Sequence, residues 1–156
     1  MSTEATTTAP QFVLNVNGQE HGFDEDLDLL VVLRDKLGIK SAKDGCNQGA
    51  CGTCMVLVEG KAVRACTQRT KRLVGKKIVT IEGFSQREKD VFAHTFAKNS
   101  AVQCGFCIPG MVISAKALVD AKPEPTRAEV KFAIRTNICR CTGYQQIEDA
   151  ILEYAE

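Results

Sequence analysis

The sequence lacks a strong excess of either charge, because 20 lysines and arginines are balanced by 19 aspartates and glutamates over 156 residues. A balance this close gives no electrostatic basis for nucleic acid or an anionic membrane surface as the main partner. The basic segment at residues 69–77 is a local exception. We interpret it as a solvated face, with a contact for a charged partner as the less favoured alternative.

Long hydrophobic runs are missing as well. The longest, residues 27–33, is interrupted by Asp28 and is far shorter than the roughly 20 residues of a membrane-spanning helix. The opening segment MSTEATTTAP has neither the basic start nor the apolar core of a secretion signal. We therefore expect no membrane span, a flexible tail at residues 1–10 and a cytoplasmic location.

Motifs of substrate chemistry are also absent. The sequence has no phosphate-cradling loop, no Rossmann fingerprint and no Ser/His/Asp or paired-carboxylate arrangement. We therefore predict no catalytic residues in this chain.

The first half of the chain has the pattern of a small sheet with one helix. Asn17-Gly18 and Glu59-Gly60 lie between alternating apolar segments, which predicts two β-hairpins, and residues 76–83 predict a further strand. Between the hairpins, residues 27–37 carry apolar residues at helical spacing and end at Gly38, a plausible C-cap.

The second half changes to helical periodicity at Ser85. Capping-box patterns at Ser85/Glu88 and Thr126/Glu129 predict two helix starts, Pro109 opens another helix, and residues 144–155 form the last. This predicts an α+β chain with a sheet domain at 11–84 and a four-helix domain at 85–156.

Eight cysteines carry the chemistry of this sequence. Three lie in the stretch GCNQGACGTC, residues 45–54, with the spacing C-x4-C-x2-C, and Cys66 follows after eleven residues. This is the spacing of plant-type 2Fe-2S ferredoxins. Gly45, Gly49 and Gly52 allow the loop to direct backbone N–H groups at thiolate sulfurs, since glycine adopts left-handed conformations and permits close approach.

The other four cysteines form a C-x2-C and a C-x-C pair separated by 31 residues: Cys104, Cys107, Cys139 and Cys141. This spacing matches neither the ferredoxin nor the zinc-finger pattern, so spacing alone leaves zinc open here. Each pair directly precedes a predicted helix. The free N–H groups and positive dipole end of a helix N-terminus favour a bound anion such as a thiolate cluster.

Two alternatives compete with iron and sulfur. A disulfide framework is disfavoured because Cys139 and Cys141 are one residue apart and the chain shows no export signal. Structural zinc usually pairs two C-x2-4-C knuckles, which the first set does not have. His21 and His94 are not at ligand spacing from a cysteine pair, so a mixed His/Cys site is not expected.

The segments DGCNQGACGTCMV, QCGFCIPGM and NICRCTGY together resemble the three signatures of the two-cluster 2Fe-2S subunit of the molybdenum hydroxylases, the xanthine oxidase family. The resemblance covers nearly the whole chain after the first ten residues, in the right order. It implies an N-terminal ferredoxin-like β-grasp domain and a C-terminal four-helix bundle domain, each with one 2Fe-2S cluster.

The same resemblance implies roles for individual residues. The ferredoxin-type cluster is held by Cys46, Cys51, Cys54 and Cys66, and the second cluster by Cys104, Cys107, Cys139 and Cys141. In this family, the positions of Gln103 and Cys141 contact the pterin of a molybdenum cofactor in a neighbouring subunit. Without the resemblance, Gln103 would be interpreted as a loop amide that caps a local backbone group.

Two neighbours of the C-x-C pair leave alternatives open. Tyr144 either stacks on a cofactor or belongs to the core. Arg140 either offsets cluster charge or faces water or a partner.

The resemblance implies an electron relay. Electrons pass one at a time from molybdopterin on a large subunit, through the two 2Fe-2S clusters, to FAD on a medium subunit or domain. The expected assembly is a hetero-oligomer, a dimer of heterotrimers, in which this chain is a separate small subunit. The alternative is a free-standing ferredoxin-like carrier, which normally has a strongly charged docking face.

Overall fold

The computed structural model describes residues 9–156, so the tail expected at residues 1–10 lies outside the described residues except for Ala9 and Pro10. Over this range the chain is α+β. The strands are Phe12–Val16 (β1), Gln19–Phe23 (β2), Met55–Val58 (β3), Lys61–Arg64 (β4) and Lys77–Val79 (β5). The helices are Leu29–Val31 (α1), Gln86–Lys98 (α2), Ile108–Ala121 (α3), Arg127–Ile134 (α4) and Gln145–Ala155 (α5).

The strands form one mixed sheet in the order β2-β1-β5-β3-β4. β1 and β5 are parallel, and the other neighbouring strands are antiparallel. Both predicted hairpins are confirmed. Asn17-Gly18 and Glu59-Gly60 have positive φ at both turn residues, the geometry of the type I′ turn that matches the twist of the paired strands.

The helix predicted over residues 27–37 is shorter than expected. Leu27 and Asp28 are held in an extended conformation, because the Leu27 N–H donates to the Thr70 hydroxyl at 3.0 Å and Asp28 pairs with Arg69. The α-helix therefore begins at Leu29, and Val32–Lys36 continues it as a π-helical turn. Gly38, with φ of +69°, follows the end of this segment as predicted.

Strand β3 separates two hydrophobic cores. Val56 and Val58 face the core that contains α1, whereas Met55 and Leu57 face the core formed with the helices. Since successive side chains of a strand point to opposite faces, all four residues of MVLV are buried and the strand is uniformly apolar. The sheet thus has the first core on one face and helix α3 on the other.

The four helices of the second half begin close to their predicted starts. Both capping boxes are formed, with Ser85 and Glu88 at α2 and Thr126 and Glu129 at α4. α2 packs on α5, where the Phe92 and Tyr154 rings stack at 3.6 Å. Among residues 9–156, no helix is long and apolar enough to cross a membrane.

Candidate metal centres

The glycine-rich loop between α1 and β3 folds around the sulfur of Cys46. The backbone N–H groups of Gln48, Ala50 and Cys51 each donate to Cys46 Sγ at 3.4 Å. These hydrogen bonds, with that of Cys51 the strongest, lower the pKa of the Cys46 thiol to about 6. The loop therefore favours the thiolate, which is the form that binds a metal.

Neighbouring segments bring the rest of this set together. Cys54 directly precedes β3 and Cys66 lies in the 3-10 turn after β4, so the antiparallel pairing of these strands places them side by side. Burial raises the pKa of the Cys54 thiol to about 11 and outweighs the hydrogen bond from the Cys66 backbone N–H, which acts to lower it. Ionisation of Cys54 at neutral pH thus requires a cation bound at its sulfur.

The second set is assembled by the loops that precede α3 and α5. Cys107 is the N-cap residue of α3, and Cys139 and Cys141 lie in the loop just before α5. The sulfurs of Cys104 and Cys141 are 3.3 Å apart, although these residues are 37 positions apart in sequence. The predicted placement of both pairs ahead of helices is therefore confirmed.

The thiols of the second set differ in their surroundings. Burial raises the pKa of Cys107 to about 12, while the Phe106 backbone N–H lowers that of the exposed Cys104. Burial also acts to raise the pKa of Cys139, but hydrogen bonds led by the Thr142 hydroxyl, 3.0 Å from Cys139 Sγ, outweigh it and lower the pKa. Each set therefore combines at least one stabilised thiolate with a buried thiol that needs a cation.

The donor chemistry of the two sets, four thiols each, fits a 2Fe-2S cluster. All eight cysteines are free thiols. Within residues 9–156, no three His, Cys, Asp or Glu side chains converge as the ligands of one ion. A four-thiolate zinc site needs four ligands around one ion, whereas a 2Fe-2S cluster needs only two thiolates at each iron.

The two sets lie close together. A cavity of about 280 Å³ is lined by Cys51 and Thr53 from the loop and by all four cysteines of the second set. The loop is tightly packed, since a side chain on Gly45 would lie 2.6 Å from Thr53 Oγ1 and 3.0 Å from Cys51 Sγ. The predicted need for glycine here is confirmed.

The other predicted residues lie at the exposed edge of the second set. Gln103 is exposed and precedes Cys104, whose sulfur contacts the exposed Cys141. Arg140 is also exposed and lines the cavity. Tyr144 packs against the helical core, and its hydroxyl accepts from the Cys139 N–H at 2.8 Å and donates to the Asn137 carbonyl at 3.2 Å. It therefore braces the C-x-C loop.

Sequence reasoning missed Asn137, which connects the two halves. This side chain is 1% exposed, donates to the Gly52 carbonyl at 3.0 Å and accepts from the Ser114 hydroxyl at 2.9 Å. Its place two residues before Cys139 was a weak signal, because an asparagine in a loop is more often a turn residue. Gly110 in α3, which lies against the Gly52 carbonyl, was also missed, because its close contact is with a segment distant in sequence.

Comparisons with known proteins agree with this geometry. A family described as a 2Fe-2S iron-sulfur cluster binding domain matches residues 12–93, and one described as a 2Fe-2S binding domain matches residues 80–152. The chain is 39% identical to the nicotinate dehydrogenase small FeS subunit of Eubacterium barkeri, over 88% of this chain and 90% of that protein. It is 42% identical to the aldehyde oxidoreductase of Megalodesulfovibrio gigas, of which it spans only 17%.

A solved structure, quinoline 2-oxidoreductase from Pseudomonas putida 86, has the same fold with a TM-score of 0.84 and 36% identity over 92% of each chain. The relatives thus include both separate small chains and segments of much longer ones. With the cysteine geometry, these matches show that the chain belongs to the two-cluster 2Fe-2S proteins of the xanthine oxidase family of molybdenum hydroxylases.

Proposed function

We propose that this chain is the electron-transfer subunit of a molybdenum hydroxylase and carries single electrons from a molybdopterin site on a large subunit to FAD on a medium subunit or domain. The observation that carries this proposal is that a single chain holds two four-cysteine sets, and that Cys51 of the first set lines the same cavity as all four cysteines of the second. Two one-electron centres held close together form a relay, whereas a storage or structural site needs only one.

The ligand assignment follows the two sets. Cys46, Cys51, Cys54 and Cys66 would hold the ferredoxin-type cluster, and Cys104, Cys107, Cys139 and Cys141 the second one. Each cluster, when bound, accepts and releases one electron. The chain's residues supply thiolates, backbone N–H groups such as those around Cys46, and burial, which together tune the reduction potential.

The end of the relay that faces molybdopterin would be the exposed edge of the second set. Gln103 and Cys141 are both exposed there, consistent with contact to a pterin in a neighbouring subunit. Apolar side chains surround this edge, with Val102 47%, Phe106 47% and Ile138 55% exposed. An apolar surface beside the cysteines suits a lasting subunit interface better than the charged docking face of a free carrier.

The finer architecture is part of the same proposal. We divide the chain into a ferredoxin-like β-grasp domain at residues 11–84 and a helical domain at 85–156 whose four helices form a bundle. The sheet order β2-β1-β5-β3-β4 and the capped start of α2 at Ser85 support this division. We further propose a cytoplasmic dimer of heterotrimers, in line with relatives that are named as small subunits.

Purification of the native complex tests this function. We expect a lasting complex with a molybdenum-containing large chain, and two irons and two sulfides for each of two clusters in this chain. The reduced protein should give two EPR signals, whereas a zinc protein would be colourless and silent. A lone monomer with full carrier activity would instead establish the free-standing ferredoxin alternative.

A further inference from the structure

We propose that Asn137 is a positioning residue that holds a backbone hydrogen bond between the two cysteine sets and thereby sets the electronic coupling between the two clusters. This inference rests on the proposed function, since it assumes that both sets bind 2Fe-2S clusters.

The bond in question joins residues at or beside one ligand of each set. The Ile138 N–H donates to the Cys51 carbonyl at 2.8 Å. Ile138 directly precedes Cys139 of the second set, and Cys51 belongs to the first. A path from one sulfur to the other therefore follows covalent bonds, apart from a single short hydrogen bond. Cys51 and Cys139 also line the same cavity.

Asn137 fixes the relative position of the two loop segments that this path joins. Its Nδ2 donates to the Gly52 carbonyl at 3.0 Å, so the consecutive carbonyls of Cys51 and Gly52 are bound by consecutive residues of the C-x-C loop. Its Oδ1 accepts from the Ser114 hydroxyl of α3 at 2.9 Å. Asn137 is 1% exposed and Ser114 3%, so neither partner could be replaced by water without rearrangement.

Glycines make this close approach possible. A Cβ atom on Gly52, which has φ of +72°, would lie 2.5 Å from the Thr136 carbonyl oxygen. A Cβ atom on Gly110 of α3 would lie 2.1 Å from the Gly52 carbonyl oxygen. Because these neighbours are backbone atoms, any side chain at either position would push the loop and the helical half apart.

The step that Asn137 supports is a one-electron transfer. With both clusters bound, one electron would leave the reduced cluster of one set, oxidising it, and would reduce the oxidised cluster of the other set. No bond would form or break and no proton would move. The rate would depend on the difference in reduction potential, on the reorganisation energy and on how well the intervening bonds couple the two centres, and Asn137 acts on the last of these. The side-chain hydrogen bonds of Asn137 go to Ser114 and to the Gly52 carbonyl and not to a cysteine sulfur, so it acts through backbone position.

The test compares three variants of the full chain loaded with both clusters. Asn137→Ala leaves the Gly52 carbonyl and the Ser114 hydroxyl without a partner, and Ser114→Ala removes only the outer bond of the same chain. Asn99→Ala is the matched control, since Asn99 also bridges two segments, from α2 to Glu153 of α5 at 2.8 Å, but lies away from the cysteines.

Two measurements follow each variant. In dithionite-reduced protein, EPR reports the spin–spin interaction between the two reduced clusters, and hydrogen exchange reports protection of the Ile138 amide. For Asn137→Ala we expect a weaker spin–spin interaction with both cluster signals retained, and exchange at Ile138 faster by about tenfold. Ser114→Ala should change the spin–spin interaction and the exchange at Ile138 in the same directions as Asn137→Ala, but by smaller amounts. Asn99→Ala should change neither.

The outcomes separate this inference from the proposed function. Wild-type protein without two cluster signals would overturn both. Wild-type protein with two interacting clusters, and an unchanged interaction in loaded Asn137→Ala, would overturn this inference alone. If Asn137→Ala does not bind both clusters, Ser114→Ala takes its place. An unchanged spin–spin interaction in loaded Ser114→Ala would then overturn this inference.

Discussion

At the scale of single residues, the thiols differ in whether their surroundings stabilise the thiolate, and so in the direction in which their pKa is shifted. Backbone N–H groups bring the pKa of Cys46 to about 6, whereas burial brings those of Cys54 and Cys107 to about 11 and about 12. The loops therefore offer a preformed thiolate together with a thiol that ionises only when metal arrives. Metal binding should accordingly release protons, as expected for a thiolate site that assembles on binding.

The division into two sets predicts that ligands can be lost independently. Cys141→Ser removes one thiolate from the second set, so we expect the EPR signal of that cluster to disappear and the iron content to fall by about half, while the ferredoxin-type signal remains. Cys66→Ser is the matched variant of the first set and should do the reverse. EPR and iron analysis of both purified variants check this. Unchanged signals, or joint loss in both variants, would refute the division.

Residues that hold the sets together were harder to predict than the ligands. The cysteine ligands could be predicted from their spacing, because C-x4-C-x2-C with a fourth cysteine downstream is typical of plant-type 2Fe-2S sites. Asn137, Ser114 and Gly110 have ordinary sequence surroundings. Their roles come from contacts between segments 23 to 85 positions apart, which no local pattern records.

At the scale of elements, the features that depend on neighbouring residues could be predicted, whereas those that depend on distant contacts could not. The type I′ turns and the two capping boxes depend on four or fewer neighbouring residues, and all four features are confirmed. The start of α1 was predicted too early, because Leu27 and Asp28 pair with a segment some 40 positions away. Tyr144, with φ of +74° at the start of α5, likewise owes its conformation to bonds with the C-x-C loop.

The loop between β2 and α1 is held by an acidic residue at its centre. Asp26 accepts hydrogen bonds from the Lys71 N–H at 3.2 Å and the Thr70 hydroxyl at 3.1 Å, and pairs with Lys71 Nζ at 3.3 Å. Part of the basic segment 69–77 is thus paired within the chain, while Arg72, Lys76 and Lys77 remain exposed, as a solvated face requires.

This loop predicts a dependence of stability on acid pH. Desolvation opposes ionisation of Asp26, but the hydrogen bonds from Lys71 and Thr70 outweigh it and lower the pKa to about 2, against about 3.9 for an unfolded aspartate. Since the folded chain favours the carboxylate, its stabilisation is complete above about pH 4 and is lost as the pH falls toward 2. Asp26→Asn should therefore be less stable than wild type at neutral pH and should lose less on acidification.

Urea unfolding midpoints at several pH values would measure this effect. Asp24→Asn is the control, because Asp24 is exposed in the same loop and has no ion pair among the residues that the structure describes. Curves for wild type and Asp26→Asn that stay parallel between about pH 4 and 2 would contradict the prediction.

At the scale of the whole molecule, the two cysteine sets lie where the two halves of the chain meet. One face of β3 packs in each of the two cores. Beside the cysteines, Gly52 of the first half contacts Gly110 and Asn137 of the second half, and these contacts form the junction between the halves. Each half alone would leave apolar surface of β3 or α3 exposed. The chain therefore holds its two redox sites at a set separation through its main packing interface, which suits a relay better than two domains on a flexible linker.

Removal of iron should reveal how far this junction depends on the clusters. Without metal, the buried thiols Cys54 and Cys107 are protonated, and the direct contact between the two cysteine pairs of the second set is a weak one between thiols, such as that of Cys141 with Cys104. We expect chelation under reducing conditions to speed hydrogen exchange in residues 44–54, 104–107 and 136–144, because metal binding and local folding are coupled. The α2–α5 contact should keep its protection, since the Phe92–Tyr154 stack and the Lys98–Glu153 pair at 2.6 Å involve no cysteine.

Hydrogen exchange with mass spectrometry on loaded and iron-free protein measures both regions at once. Equal exchange in the cysteine loops of the two forms would show that packing alone maintains the junction.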